Sequence, residues 1–320
     1  MKFKPDSIIC FMNLTAFYNN TPARTRFFIG IFILMIANVG FSSKAVLIKI
    51  MFIHHVDVIS VIALRMLFSV PFYIIIAYFL SKRVDNVRLT LREWLMISGL
   101  GILSYYISSM LDFLGLQYIT AGVERLILFT YPTMVLVLSA IFFKKKITTP
   151  QYIALILTYI GVIIAFVAEK GVGEQKDFIK GGLYVFICAF TYSLYVIGTG
   201  ELAHRFGSVK FTCYAMMAAT VPVLIQSLFH NNMAIFNYPH EVYWLTGWLV
   251  IVATVIPTFL IVEGIRIVGA GNSSIIGFVG PVATIFLANY YLAERITFLQ
   301  LLGTGIVLAG VFLITWKGKR

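Results

Sequence analysis

Ten apolar runs, most of them close to the length a helix needs to cross a bilayer, leave a chain like this few ways to fold. Runs such as "FFIGIFILMIANVGF" and "LQLLGTGIVLAGVFLITW" approach the roughly 20 residues that span about 30 Å of hydrocarbon. Of the 320 residues, 60% are hydrophobic and 12% charged, with a mean hydropathy of +0.93. A soluble domain carries about 25% charged residues, and this much apolar surface would leave it with large exposed patches. The fold class is all-α, a polytopic membrane protein. Spans are expected near 27–48, 57–80, 95–118, 121–143, 150–168, 180–200, 210–229, 243–267, 271–292 and 298–316, joined by short polar linkers such as "KKKITTP" and "HNNMAIFNYPHEV".

The chain then repeats itself. Residues 121–162 align without a gap on 270–311, so that Pro132 meets Pro281, Phe129 meets Phe278 and Gln151 meets Gln300. Earlier helices match at an offset of 151: "VP" 70–71 falls on "VP" 221–222, and "FS" 41–42 on "YS" 192–193. The expected organisation is a tail at 1–26, a first five-helix repeat at 27–168, a second at 180–316, and a basic tail at 317–320. Because five is odd, the second unit enters the membrane upside down, giving ten transmembrane helices in two inverted repeats.

Charge tests the inversion. With the amino terminus inside, 17 of the 25 Lys and Arg fall in inner loops and six outside, while Arg65 and Arg125 lie within helices. Equivalent loops swap their charge: "SKRVDNVRLTLR" is basic where its partner "HNNMAIFNYPHE" has no Lys or Arg. The positive-inside rule requires such swapping of two oppositely oriented repeats. The net charge of +12 therefore reads as orientation marking and not as a nucleic-acid surface. Residues 1–25 hold only a short apolar patch, "IICF", and read as a cytoplasmic tail, not a signal peptide.

The stretch 277–311, "GFVGPVATIFLANYYLAERITFLQLLGTGIVLAGV", combines a proline within an apolar helix, "ER-T", Gln-Leu-x-Gly and a glycine-rich last helix. With its weaker copy at 129–162 and "ALRMLFSVP" at 63–71, it resembles the ten-helix EamA family of the drug/metabolite transporter superfamily. The first repeat departs from the pattern, with "KKKIT" where the family often has "ERLT". The resemblance implies a secondary-active carrier with a central cavity that exports or imports small metabolites. Amino acids are frequent bacterial substrates in the family, and nucleotide sugars are frequent in eukaryotic relatives. It implies a bacterial inner-membrane exporter, multi-pass with both termini cytoplasmic, with a nucleotide-sugar or cationic-drug carrier as the alternative within transporters.

Five charges fall within the first repeat's helices: Lys44, Arg65, Asp112, Glu124 and Arg125. Glu124 and Arg125 start helix 4, where Arg can snorkel and Glu faces the positive end of the helix dipole. Asp112 and Arg65 sit deeper, where a charge costs about 2.5–3.5 kcal/mol unless it meets a partner or a cavity. An Arg65–Asp112 or Arg125–Asp112 ion pair is one reading. The other is a substrate site, with Arg65 holding a carboxylate and Asp112 or Glu124 exchanging a proton or meeting an amine. At the repeat offsets, Arg65, Asp112, Glu124 and Arg125 fall on Met216, Ile261, Ser273 and Ser274, so the charges belong to one unit alone.

The aromatics Phe129, Tyr131, Tyr192, Tyr195, Phe278 and Tyr290 are candidates to stack on a substrate's apolar body, or simply to pack. Pro71, Pro132, Pro222 and Pro281, with Pro257, are expected to bend helices, as hinges or as static kinks. Small residues in helix 10 (Gly303, Gly305, Ala309, Gly310) and helix 5 (Ala154, Thr158, Gly161) fit close helix contact, with a homodimer seam as one use. "GVGEQK" lacks phosphate-loop spacing, and no Ser/His/Asp or HExxH constellation is present in the sequence. His54, His55 and Asp57 read as a solvated loop before a metal site. No cofactor and no enzymatic activity are expected. The partners are a small-molecule substrate, the lipid bilayer, protons as coupling ion and a second copy in a homodimer. A membrane sensor or enzyme is the lower-ranked class.

Overall fold

The computed structural model describes residues 23–81, 89–144, 146–170, 177–231, 234–268, 276–277 and 279–317. They form helices α1 (Ala23–Ile53), α2 (Val58–Ser81), α3 (Leu91–Leu116), α4 (Ala121–Leu128 and Tyr131–Phe143) and α5 (Thr149–Lys170) in the first half. The second half holds α6 (Phe178–Phe206), α7 (Ser208–Asn231), α8, α9 (Val279–Leu292) and α10 (Phe298–Lys317). Helix α8 is continuous through His240–Val250, Ile251–Val255 and Ile256–Val268. Eight of these are long and apolar enough to cross a membrane, and α9 and α10 add two shorter apolar helices. The first residues expected in the ninth span, 271–275, lie outside the described residues, as does Phe278.

Helix partners obey a two-fold exchange. Helix α1 packs on α8 and α9, and α6 packs on the corresponding α3 and α4 of the other half. Helix α2 packs on its own counterpart α7, and α5 on its counterpart α10. Each unit therefore lends its first helix to the other, and the first core cluster draws on both: Leu64, Met66 and Phe113 join Met216 and Leu249. The bilayer supplies no hydrophobic drive between helices, so association rests on close backbone approach and polar contacts. At the α5–α10 seam a Cβ on Gly303 would stand 2.6 Å from the Gly161 carbonyl, and one on Gly161 2.7 Å from that of Gly303. These glycines close a seam inside one chain, the close helix contact expected of them. Lipid-facing positions carry large apolar side chains such as Phe229, Phe286 and Ile163.

Two turns of π-helix interrupt the bundle, at Ile102–Ser108 in α3 and Ile251–Val255 in α8. Their starts differ by 149 residues, the repeat offset, so they are equivalent. In each, a hydroxyl reaches back five residues and satisfies a carbonyl of the widened turn: Ser108 donates to Leu103 (2.9 Å) and Thr254 to Leu249 (2.8 Å). Such turns are rare and cluster at functional sites. Helix α4 is broken at Phe129–Thr130, into Ala121–Leu128 and Tyr131–Phe143. Pro132 opens the second half, where its missing N–H costs nothing, and Pro281 lies in the first turn of α9. Pro71 and Pro222 sit inside continuous helices.

Candidate functional site

The broken helix α4 and its counterpart α9 are held by the same hydrogen bond in each unit. Ser42 of α1 donates to the Gly280 carbonyl (2.8 Å), and Ser193 of α6 donates to the Tyr131 carbonyl (3.1 Å). Ser42 and Ser193 are repeat counterparts, as are Tyr131 and Gly280. Symmetry of the backbone thus meets asymmetry of the side chain: a ring at 131, nothing at 280. Arg125 packs against the bare backbone at 280, its Nη2 so close that a Cβ there would stand only 3.1 Å away.

Around this junction the first unit gathers its charges. Lys44 Nζ bonds Asp112 Oδ2 at 2.6 Å, with the side chains 13% and 2% exposed. Helix α1 continues to Ile53, so Lys44 lies nine residues from its end, about 13 Å along the axis, and not one turn inside it. The ion pair uses Lys44, which corrects the expectation that Arg65 or Arg125 would serve Asp112. Glu124, in the first turn of α4, is fully buried within the bundle. No donor reaches either Glu124 oxygen or Asp112 Oδ1, although the two carboxyls lie within electrostatic reach of one another. Two carboxylates cannot bond each other unless one carries a proton.

Arg65 has another task. Its guanidinium is 5% exposed, donates through Nη2 to Ser109 Oγ (2.9 Å) and the Tyr105 carbonyl (3.2 Å), and stacks on Phe113 at 5.1 Å. Tyr105 lies in the π turn of α3, so Arg65 braces the widened backbone from α2. Lysine keeps the charge but cannot reproduce a planar fork on two acceptors and a ring. Arg65→Lys is expected to lose about 1–3 kcal/mol, read as a lowered melting temperature in detergent. An unchanged melting temperature would separate Arg65 from the π turn.

The tyrosines form a ladder across three helices. Tyr131 meets Tyr192 edge-on at 5.1 Å, Tyr192 stacks on Tyr195 at 5.8 Å, and Tyr195 meets Tyr105 at 5.6 Å with the two hydroxyls 2.9 Å apart. Phe129 extends it from the break in α4, 6.2 Å from Tyr131. Arg125 lies within electrostatic reach of Tyr131 and Tyr192. Tyr290 does not take part: it is 81% exposed and packs on Tyr291.

One end of the bundle is tied across the units. Glu294, from the "ER-T" motif, accepts from the Ala121 amide at the start of α4 (3.1 Å) and pairs with Lys49 of α1 (3.1 Å). A carboxylate there meets the positive end of the helix dipole. Asp57, at the start of α2, accepts from the Ser60 amide (3.1 Å) and the Tyr238 hydroxyl (2.9 Å), with His230 Nε2 at 3.7 Å. Burial raises the Asp57 carboxyl, but the Ser60 and Tyr238 hydrogen bonds and His230 outweigh it and hold the group below its usual value. Its oxygens are engaged in joining two loops.

Of the expected site residues, the structure brings together Asp112, Glu124, Arg125, Tyr131, Tyr192 and Tyr195. Arg65 stands behind them at the π turn, and Phe278 lies outside the described residues. Sequence reading passed over Ser42, Ser193 and Gly280. Their signal was present in the repeat alignment, which placed serine on serine and glycine on tyrosine.

Comparison with known proteins agrees with this architecture. The family model described as the EamA-like transporter family matches residues 28–167 and 179–316. An uncharacterized transporter of Bacillus subtilis, YcbK, is 29% identical over 89% of this chain and 91% of its own length. A second from that organism, YdfC, is 25% identical over 66% of this chain and 68% of its own. An uncharacterized transporter of Archaeoglobus fulgidus is 23% identical over 72% of this chain and 80% of its own. A solved crystal structure superposes with a TM-score of 0.62 over 90% of this chain and 96% of its own, at 15% identity, sharing the fold. With both halves matched and the halves exchanging helices about a two-fold, the chain belongs to the EamA-like transporter family and is a multi-pass membrane transporter.

Proposed function

We propose that this transporter is a secondary-active exporter of small metabolites such as amino acids, coupled to protons and working by alternating access in a bacterial inner membrane. The observation that carries the reading is the buried pair of carboxyls, Asp112 and Glu124: Lys44 bonds one Asp112 oxygen, and neither Glu124 oxygen has a donor. Buried ionisable groups within membrane helices are costly and mark ion or substrate paths. A pair that holds one proton can release it when the site opens to the other side, with Lys44 steadying the charge left on Asp112. The joints at Ser42–Gly280 and Ser193–Tyr131 lie where α1 meets α9 and α6 meets α4, so rocking one unit on the other changes access to the same place. The distribution of Lys and Arg supports both termini on the cytoplasmic side.

The test is uptake of a pooled metabolite library (amino acids, nucleosides, polyamines, nucleotide sugars) into proteoliposomes, read by mass spectrometry with and without a pH gradient. Enrichment of one class, increased by the gradient, is expected. Glu124→Gln presents an amide that stands in permanently for the protonated carboxyl. It is expected to fold, to exchange substrate at equilibrium, and to lose gradient-driven uptake down to the level seen without a gradient. Full gradient response in this variant would remove the carboxyl pair from the coupling step.

A further inference from the structure

We infer that Glu294 and Asp57 form a two-point latch that shuts one end of the bundle over the carboxyl pair, so that Glu124 meets water from that end only when the latch parts. This rests on the carrier reading and adds the gate that serves it. Both ties join one unit to the other at the end remote from Ala23 and Lys317. Glu294, in the linker after α9, reaches two helices of the first unit. It accepts from the Ala121 amide of α4 and pairs with Lys49 of α1, each at 3.1 Å. Asp57, before α2, accepts from Tyr238 of the loop before α8 at 2.9 Å, and His230 at the end of α7 stands 3.7 Å away. Local bonds set both arms. Ala293 takes a left-handed φ of 53°, and Asn289 donates to the Glu294 carbonyl at 2.8 Å, which fixes the linker against the end of α9. The Tyr238 amide donates to the Tyr243 hydroxyl at 3.2 Å, and that hydroxyl donates to the Ile235 carbonyl at 2.9 Å.

The latch stands next to the site it serves. Ala121 opens α4, and Glu124 follows it by three residues, about 4.5 Å along the axis. The amide that Glu294 holds is thus one turn from the carboxyl that has no donor. A latch must also let go. The side chains of Lys44 and Asp112 are 13% and 2% exposed, whereas those of Lys49 and Glu294 are 21% and 15%, and those of Asp57 and His230 39% and 50%. Partly hydrated pairs exchange their partners for water at small cost, which a buried pair cannot do. The repeat supplies the asymmetry. Because the units are inverted, the counterpart of each tie belongs at the opposite end. There Lys49 and Glu294 fall on Gly200 and Lys145, and Asp57, Tyr238 and His230 fall on Ser208, Leu89 and Phe79. Neither set contains an acid, and the cluster of Ile97, Leu202 and Phe211 at that end is apolar. The latch therefore favours the state closed at its own end.

The experiment reads water access at both ends in lipid nanodiscs, where each face is open to a charged methanethiosulfonate reagent. Cys10, Cys188 and Cys213 are first replaced by alanine. Ala121→Cys then reports on the latched end and Ile97→Cys on the opposite one; both native side chains are buried. Glu294→Ala is expected to raise the labelling rate of Ala121→Cys by roughly tenfold, the worth of one charge-assisted hydrogen bond in the open population. Labelling of Ile97→Cys is expected to fall when Glu294→Ala is added, because opening one end closes the other. Glu294→Gln keeps an acceptor for the Ala121 amide and is expected to give a smaller shift, and Asp57→Asn a shift in the same sense. Melting temperatures report whether each variant has folded, and the two milder variants carry the test if Glu294→Ala does not fold. A gain at 121 without a fall at 97 is a loosening of the bundle and overturns the latch, as does unchanged labelling at 121. Pooled uptake by the wild type, measured as above, separates the two readings. Uptake without the reciprocal shift sinks the latch alone. The shift without uptake keeps the latch and sinks the carrier, and absence of both sinks the two together.

Discussion

Lys44→Met is expected to lower the stability of the folded protein by about 3–5 kcal/mol, the cost of stripping one partner from a buried ion pair. Asp112 is 2% exposed on its side chain, and its Oδ2 has Lys44 at 2.6 Å. Without the ammonium, Asp112 must keep an unpaired charge in an apolar bundle or take up a proton, and each is costly. Lys44→Met combined with Asp112→Asn removes both charges and is expected to recover most of the loss. Its amide can also donate toward Glu124, which now lacks a donor. The check is a double-mutant cycle on melting temperature or denaturant unfolding in detergent. A double variant no more stable than Lys44→Met would mean that the pair contributes nothing beyond the packing of the two side chains.

Gly303→Ala is expected to destabilise the α5–α10 seam by about 1–3 kcal/mol through overpacking, while Gly305→Ala two residues on is expected to be neutral or stabilising by up to about 1 kcal/mol. The two substitutions share chemistry, helix and depth, and differ in what the added methyl meets. At 303 the nearest atom is the backbone carbonyl of Gly161 at 2.6 Å, with Ala165 at 2.9 Å; at 305 nothing lies within 4 Å. A carbonyl cannot rotate away as a side chain can, so the helices must part, and dispersion along the seam is lost with them. Unfolding of both variants against wild type reads the contrast directly. Equal losses at 303 and 305 would show that helix propensity, and not close approach, governs the seam.

Much of the fold was legible because lipid imposes length and apolarity on every span, and a duplicated unit keeps its offset. Those constraints act locally and leave a record in the order of residues. Helix α1 runs past its expected end at 48, to Ile53, and takes in Lys49, a charge that fell just outside the expected span. It is held by Glu294, 245 residues away in the chain. The site was half legible. Charges stand out in apolar runs, so Lys44, Arg65, Asp112, Glu124 and Arg125 could be picked by type. Their pairing could not, since Lys44 and Asp112 come from different helices, and Arg65 answers to a carbonyl that a π turn exposes. A backbone acceptor has no letter of its own.

The order of residues by itself determined a membrane bundle of two inverted five-helix units and the unit that carries the ions, because hydropathy, charge bias and repetition are sums over neighbours in the chain. Only the tertiary structure decided which cation is spent, which is left half-buried, and that Gly280 stands opposite Arg125 where Tyr131 stands in the other unit. The physical reason is that ion pairing and steric room depend on distances between helices remote in sequence. The two-fold exchange of α1 and α6 sets those distances, and composition and periodicity do not encode them.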